Sequence, residues 1–345
     1  MKNLGVLVLV CLLMPVFVEA AALSIDPATP TLSRGDAVKL SVRLDTDEES
    51  GECINVVEGV VAFTGPIMPV DVSTGNSIMS IWVEPPVINQ AANQITFAGG
   101  IPNGYCGRIE GDPRLTNNVF DIIVRADAAA DPDGENRVAS VYLTEQTLVY
   151  LNDGNGTSLA PVTYPSTITV GPELGAEVQD PWKNEIDADT IPPQPFSIYL
   201  ERDRLAFTGE YYISFNTTDK QTGIDRYEVI EEPIESHWTF NWGRADAPWR
   251  VARSPYVLDD QSLNSVIRVK AVDKAGNEYI STLVPDEELR TLSFNQFLSL
   301  VLFGAVVVLL AAGAWFVLAR RRLKRQGAML AQLDEDANNY QPPTY

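Results

Sequence analysis

Histidine is almost missing from this chain: among 345 residues there is one, His237. A serine or cysteine triad would have to rest on that imidazole, and no Gly-x-Ser-x-Gly turn accompanies it. Zinc is disfavoured too, since beside that one His the two cysteines beyond the N-terminal apolar run read as a pair. Positive charge is also scarce, since 25 Lys and Arg face 46 Asp and Glu, a formal net charge of −21 at pH 7. A surface that acidic repels phosphate backbones, which disfavours nucleic acid as a partner. A phosphate loop is missing too. The glycine-rich stretch from Phe97 to Gly107, FAGGIPNGYCG, has no Lys-Ser/Thr ending, and Pro102 deletes a backbone donor. It reads as a tight hairpin in which Gly99, Gly100 and Gly104 supply φ values that other residues resist. Carboxylates for glycoside hydrolysis abound, but their number makes them a solvated acidic surface before it makes them a pair. The chain reads as a non-enzyme.

What is present begins at the two ends. Residues 1–22 carry Lys2, an apolar run from Leu4 to Val18 and the small-residue pattern Val18-Glu19-Ala20, the layout of a secretory signal peptide. Leu298 to Ala319 contains no charge and is long enough for a membrane span at 298–319. Arg320, Arg321, Arg322, Lys324 and Arg325 follow at once, a stop-transfer cluster that stays on the cytoplasmic side. The expected topology is single-pass, with the N-terminus outside, the tail 320–345 inside, and the body on a bacterial cell surface. The tail ends in Pro342-Pro343-Thr344-Tyr345, the spelling of a WW-domain ligand but read as a short disordered end.

Between the ends, short β-branched and aromatic runs recur, split by Gly, Pro, Asn and Asp. Val38-Lys39-Leu40-Ser41-Val42-Arg43-Leu44 alternates cleanly, and Val56 to Phe63, Val119 to Val124, Val138 to Leu143 and Ser166 to Val170 follow. Many short strands with frequent turn signals predict an all-β sandwich over 23–171. Residues 172–195, rich in Pro, Asp and Glu, read as a linker. Strand runs resume over 196–285 and suit a second, seven-strand sandwich; 286–297 lead to the anchor.

Candidate site residues are few. In an exported chain, Cys53 and Cys106 read most simply as one disulfide, with two free thiols as the alternative. Closing a loop of about 50 residues would stabilise by roughly 4 kcal/mol. Asp153 and Asn155, in Leu151-Asn152-Asp153-Gly154-Asn155-Gly156-Thr157, place oxygen ligands at alternate positions, as a calcium loop would; Asp131 to Asn136 does so more weakly. Both stretches are also ordinary turn signals. Trp82, Trp238, Trp242 and Trp249 offer faces for sugar stacking, Trp82 from an apolar strand that favours core packing. No cofactor is expected beyond that calcium.

Several stretches, in order, resemble the cohesin family: VKLSVRLDT, then INVVEGVVAFTGPIMPVDVSTGNSIMSIW ending at Trp82, then NQITFAGGIPNGYCG, NVFDIIVRA and LVYLNDGNGT. The resemblance covers 23–171 and implies a jelly-roll sandwich that recognises protein, with calcium-loaded dockerin domains as the family's partners. The same broad sandwich occurs in cellulose-binding modules, so a polysaccharide is the neighbouring reading. Cys53 and Cys106 depart from the family pattern. TGIDRYEVIEE, SPYVLDDQSL and IRVKAVDKAGNE resemble a bacterial fibronectin type III or immunoglobulin-like repeat, with Gly276-Asn277 at its turn. Together these imply a surface-anchored, non-catalytic adhesion or docking protein. A carbohydrate-binding surface module is the first alternative, and a carboxylate-pair extracellular hydrolase the second.

Overall fold

The structure is a computed structural model that describes residues 21–46, 53–107, 117–129, 134–174, 179–234, 248–290 and 294–338. Residues 1–20 of the expected leader, Asp131, His237, Trp238, Trp242 and the Pro-Pro-Thr-Tyr end lie outside these residues. The chain is mostly strand and closes on one long apolar helix.

The first sandwich opens with β1 (Ala21–Asp26), β2 (Thr31–Arg34) and β3 (Ala37–Thr46), followed by β4 (Ile54–Thr64), β5 (Ile67–Ser73) and β6 (Ile81–Asn89). It continues through β7 (Gln94–Tyr105), β8 (Asn118–Ala126) and β9 (Arg137–Leu143) to the short β10 (Leu148–Leu151), β11 (Ser158–Leu159) and β12 (Val162–Tyr164), and ends on β13 (Ser166–Leu174). One sheet runs β12-β1-β3-β8-β5, and the other β11-β10-β4-β9-β13-β2, with β7 on the free edge of β4 and β6 beyond it. Strand β4 is long enough to pair β10 along Ile54–Glu58 and β9 along Val61–Thr64. Alternation sets the layers: Leu40, Val42 and Leu44 of β3 and Val57 and Val61 of β4 point inward and are fully buried. At the centre Phe120 meets Phe97 at 4.8 Å between ring centroids and Trp82 edge-on at 6.5 Å.

Strand β1 takes in Ala21 and Ala22, the last residues assigned to the leader, because Ala21 is buried and pairs with Thr46. FAGGIPNGYCG is no hairpin: all of it up to Tyr105 is the continuous strand β7. Only Gly104 of its three singled-out glycines has a positive φ, +74°. Gly99 is needed for room instead, since a Cβ there would lie 2.8 Å from the Trp82 ring. Cys53 and Cys106 form the disulfide, clamping the end of the β4–β7 ladder beside the Ile54–Tyr105 pair.

The segment expected to be a featureless linker contains helix α1 (Pro181–Ala188). Asp180 caps it by accepting from Lys183 N, and Pro181 supplies a first residue whose missing N–H costs nothing there. Trp182 buries its indole on the outer face of the β3/β8 sheet against Ala37 and Ile123, which explains why β8 is apolar on both faces. Lys39–Glu185 at 2.6 Å and Arg125–Asp180 at 2.7 Å flank that contact.

The second body has β14 (Ile198–Arg202), β15 (Tyr211–Phe215), β16 (Ile224–Pro233), β17 (Arg250–Ala252), β18 (Tyr256–Val257), β19 (Ser265–Asp273) and β20 (Glu278–Leu283). They form sheets β14-β15-β18 and β17-β16-β19-β20. Phe215 of the first sheet packs on Tyr227 of the second at 5.1 Å, and Phe196 closes on Tyr227 and Tyr279. Helix α2 (Phe294–Asn338) contains a stretch long and apolar enough to cross a membrane. Arg320, Arg321, Arg322, Lys324 and Arg325 lie within this helix.

Candidate functional site

Where the first sandwich meets the second, the backbones at Gly75 and Gly223 leave no room for a side chain. A Cβ on Gly75, in the turn after β5, would lie 2.0 Å from the Gln221 carbonyl oxygen, and one on Gly223 would lie 2.6 Å from Gly75 N. Gly223 also holds φ at +84°, a left-handed value that favours glycine. Ser73 Oγ donates to the Thr222 carbonyl at 2.7 Å, buried, and Asn216 Nδ2 donates to Ser80 O. Beside them one carboxylate gathers three elements. Asp71 of β5 accepts from Trp182 Nε1 of α1 at 2.7 Å, and from Lys274, just past β19, at 2.6 Å.

The loop 219–223 that makes this contact is held from behind by buried acids. Asp189, the C-cap of α1, is 5% exposed, Asp219 2% and Asp273 1%. One oxygen from each lies within 4.8 Å of the others, the spacing of a metal site, and among the described residues no other group of three meets it. Asp189 Oδ2 accepts from Thr222 Oγ1 at 2.6 Å and Thr222 N at 3.2 Å, and its Oδ1 from Ile191 N at 3.0 Å. Asp219 Oδ2 accepts from Gln221 N at 2.8 Å and Gly223 N at 2.9 Å. Asp273 accepts from Asn277 N at 2.8 Å and Asn277 Nδ2 at 2.9 Å. The remaining oxygen of Asp219, Oδ1, is enclosed and receives no hydrogen bond.

No lysine or arginine among the described residues forms an ion pair with any of the three; the adjacent Lys274 is turned to Asp71. Two unit charges at this separation repel by about 3 kcal/mol per pair at an effective dielectric of about 20. Burial pushes the Asp219 carboxyl above the ordinary carboxylate range; the Gly223 and Gln221 amides pull it down, and Asp189 and Asp273 push it further up.

The structure places the residues singled out from the sequence elsewhere. Asp153 is exposed, and its carboxylate closes its own loop, accepting from Asn155 N at 2.8 Å and Thr157 Oγ1 at 2.5 Å. That loop packs on the disulfide end: Asn152 N donates to Cys53 O at 2.7 Å, and Asn152 Nδ2 to Asn103 O at 3.3 Å. Trp82 is turned onto Phe120 and Gly99. Lys270 Nζ lies 4.5 Å from the Trp249 ring centre. None of these touches the aspartate group. Sequence reading missed Asp71, Trp182, Asp189, Asp219 and Asp273. One signal was legible: Asp219-Lys220-Gln221-Thr222-Gly223 and Asp273-Lys274-Ala275-Gly276 both put an Asp-Lys pair into a glycine turn.

No protein-family model matches the chain, and no curated protein matches it. Solved structures of cohesins do align with it. One is the cohesin of a type I cohesin–dockerin complex from Clostridium thermocellum, at 14% identity over 46% of this chain and 97% of that one, with a TM-score of 0.35. A type II cohesin domain from the cellulosome of Acetivibrio cellulolyticus aligns at 14% identity over 43% and 95%, TM-score 0.31. A cohesin module from a Clostridium perfringens family 33 glycoside hydrolase aligns at 11% identity over 45% and 97%, TM-score 0.31. Likeness at these levels carries no function with it.

Proposed function

We propose that this chain is a membrane-anchored, non-catalytic docking protein whose first sandwich recognises another extracellular protein, of the calcium-loaded dockerin type. What carries the reading is the order of the cohesin-like stretches, each of which lies on a strand or turn of one closed sandwich. β3 supplies VKLSVRLDT, β4 to β6 the long second stretch, β7 the glycine-rich one, β8 NVFDIIVRA, and β10 with its following turn LVYLNDGNGT. The body from Ile198 to Leu283 is an immunoglobulin- or fibronectin-like stalk in this reading. The basic cluster behind the apolar stretch of α2 sets the sandwiches outside and residues 320–345 inside. The parsing into leader, sandwich, joint, stalk, anchor and tail belongs to the same proposal.

The test is capture by the full chain in nanodiscs. A panel of calcium-loaded dockerin-type domains, envelope proteins and polysaccharides would be passed over it. Saturable binding of one protein class, at micromolar Kd or tighter, is expected. Retention of polysaccharide alone would replace the reading with carbohydrate binding, and release of sugars or peptides would replace it with a hydrolase.

A further inference from the structure

We propose that Asp189, Asp219 and Asp273 bind a divalent cation, calcium, which locks the joint between the two sandwiches. The group comes from three separate segments: the C-terminal end of α1, the loop between β15 and β16, and the end of β19. Each acid is more than nine-tenths buried, and none is matched by a basic side chain among the described residues. Like charges at such spacing need something positive between them.

Thr222, Ile191, Gln221, Gly223 and Asn277 direct N–H or O–H groups at both oxygens of Asp189, both oxygens of Asp273 and Oδ2 of Asp219. Asp219 Oδ1 is the oxygen they leave over, enclosed and without a donor, and a cation is the partner such an oxygen lacks. The ligand set is oxygen only, which selects hard cations over zinc or copper. Calcium tolerates irregular geometry and several protein oxygens, whereas magnesium demands a near-ideal octahedron and keeps its waters.

The consequence follows from where the loop points. Asp219 and Gly223 bracket Gln221 and Thr222, whose carbonyls pack against Gly75 and accept from Ser73 of the first sandwich. A cation held by Asp219 orders that loop, and Asp189 ties it to α1, which lies on the first sandwich through Trp182. Removal of the ion releases all of these constraints together.

The experiment uses the full chain in detergent micelles, stripped with a chelator and then titrated with CaCl2 or MgCl2. No docking partner takes part, so its outcome is separate from that of the capture experiment. Calcium is expected to raise Tm and to slow amide hydrogen exchange in residues 217–224 by about tenfold or more. Metal analysis of the protein equilibrated in calcium is expected to give one ion per chain. Asp219→Asn and Asp273→Asn should each remove the response, while Asp153→Ala, in the exposed loop, should keep it. Absence of bound calcium in the wild-type protein, or absence of any calcium effect on exchange, overturns the proposal even if the variants fail to fold. So does an equal response to magnesium, or a response lost in Asp153→Ala and kept in Asp219→Asn.

Discussion

Phe120 shows how much of the first sandwich rests on one ring. It is fully buried and packs against both Phe97 and Trp82, from strands β7 and β6. Truncation leaves a cavity that β-strands pinned by their ladders cannot close, so Phe120→Ala should destabilise by about 3–5 kcal/mol in urea unfolding followed by tryptophan fluorescence. Tyr227 offers a different measurement. Burial among Phe196 and Phe215 raises its phenol to about 12 from the usual 10. A raised folded-state value means stability that is complete below about pH 10 and is lost as the pH climbs through about 12. Ultraviolet titration should show a late-ionising tyrosine that disappears in Tyr227→Phe, whereas a single ionisation step near 10 for every tyrosine would contradict this.

Helix α1 and strand β7 show where local sequence succeeds and where it misleads. Asp180-Pro181 is a helix start, legible by the rule of a capping acid before a proline. It was masked by the surrounding Pro, Asp and Glu, and the helix is too short for its own periodicity to show. What stabilises it is the burial of Trp182 on the outer face of β3 and β8, a contact with distant residues. Asp180→Ala removes both the cap and the Arg125 ion pair, and should cost about 0.5–2 kcal/mol in chemical denaturation. In β7 the glycines imitate a turn. Their positions are set instead by the Trp82 ring over Gly99 and the Asn152 side chain over Gly104, both from other strands or turns. The disulfide at the end of this strand was legible from the cysteine count together with the reading of the chain as exported. Replacing Cys53 and Cys106 by serine should lower stability by about 2–5 kcal/mol, read from Tm under non-reducing conditions.

For the chain as a whole, protease accessibility reads the proposed orientation directly. With the sandwiches outside and the tail inside, external protease added to intact cells should remove residues 23–290 and leave a tag after Tyr345 protected. Protection of the sandwiches instead would reverse the proposed topology. The joint gives a second outcome at this level. Gly75→Val inserts side-chain atoms where a Cβ alone would already meet the Gln221 carbonyl at 2.0 Å. Calorimetry should show the transitions of the two sandwiches separating, with little change in the later one.

Alternation of apolar and polar residues, turn signals and the long uncharged run near the C-terminus determined, from sequence alone, an all-β body ending in an apolar helix. These are local patterns: period two for strands, length and charge for the helix, and they are written in neighbouring residues. The disulfide also belongs here, because two cysteines beyond a stretch that reads as a secretory leader have one simple pairing. The aspartate group could not be read that way. Asp189, Asp219 and Asp273 are ordinary members of an acidic chain until folding buries them and removes the water that would keep their charges apart. Burial is a property of what packs against a residue, and that was decided only when α1, the loop after β15 and the end of β19 came together.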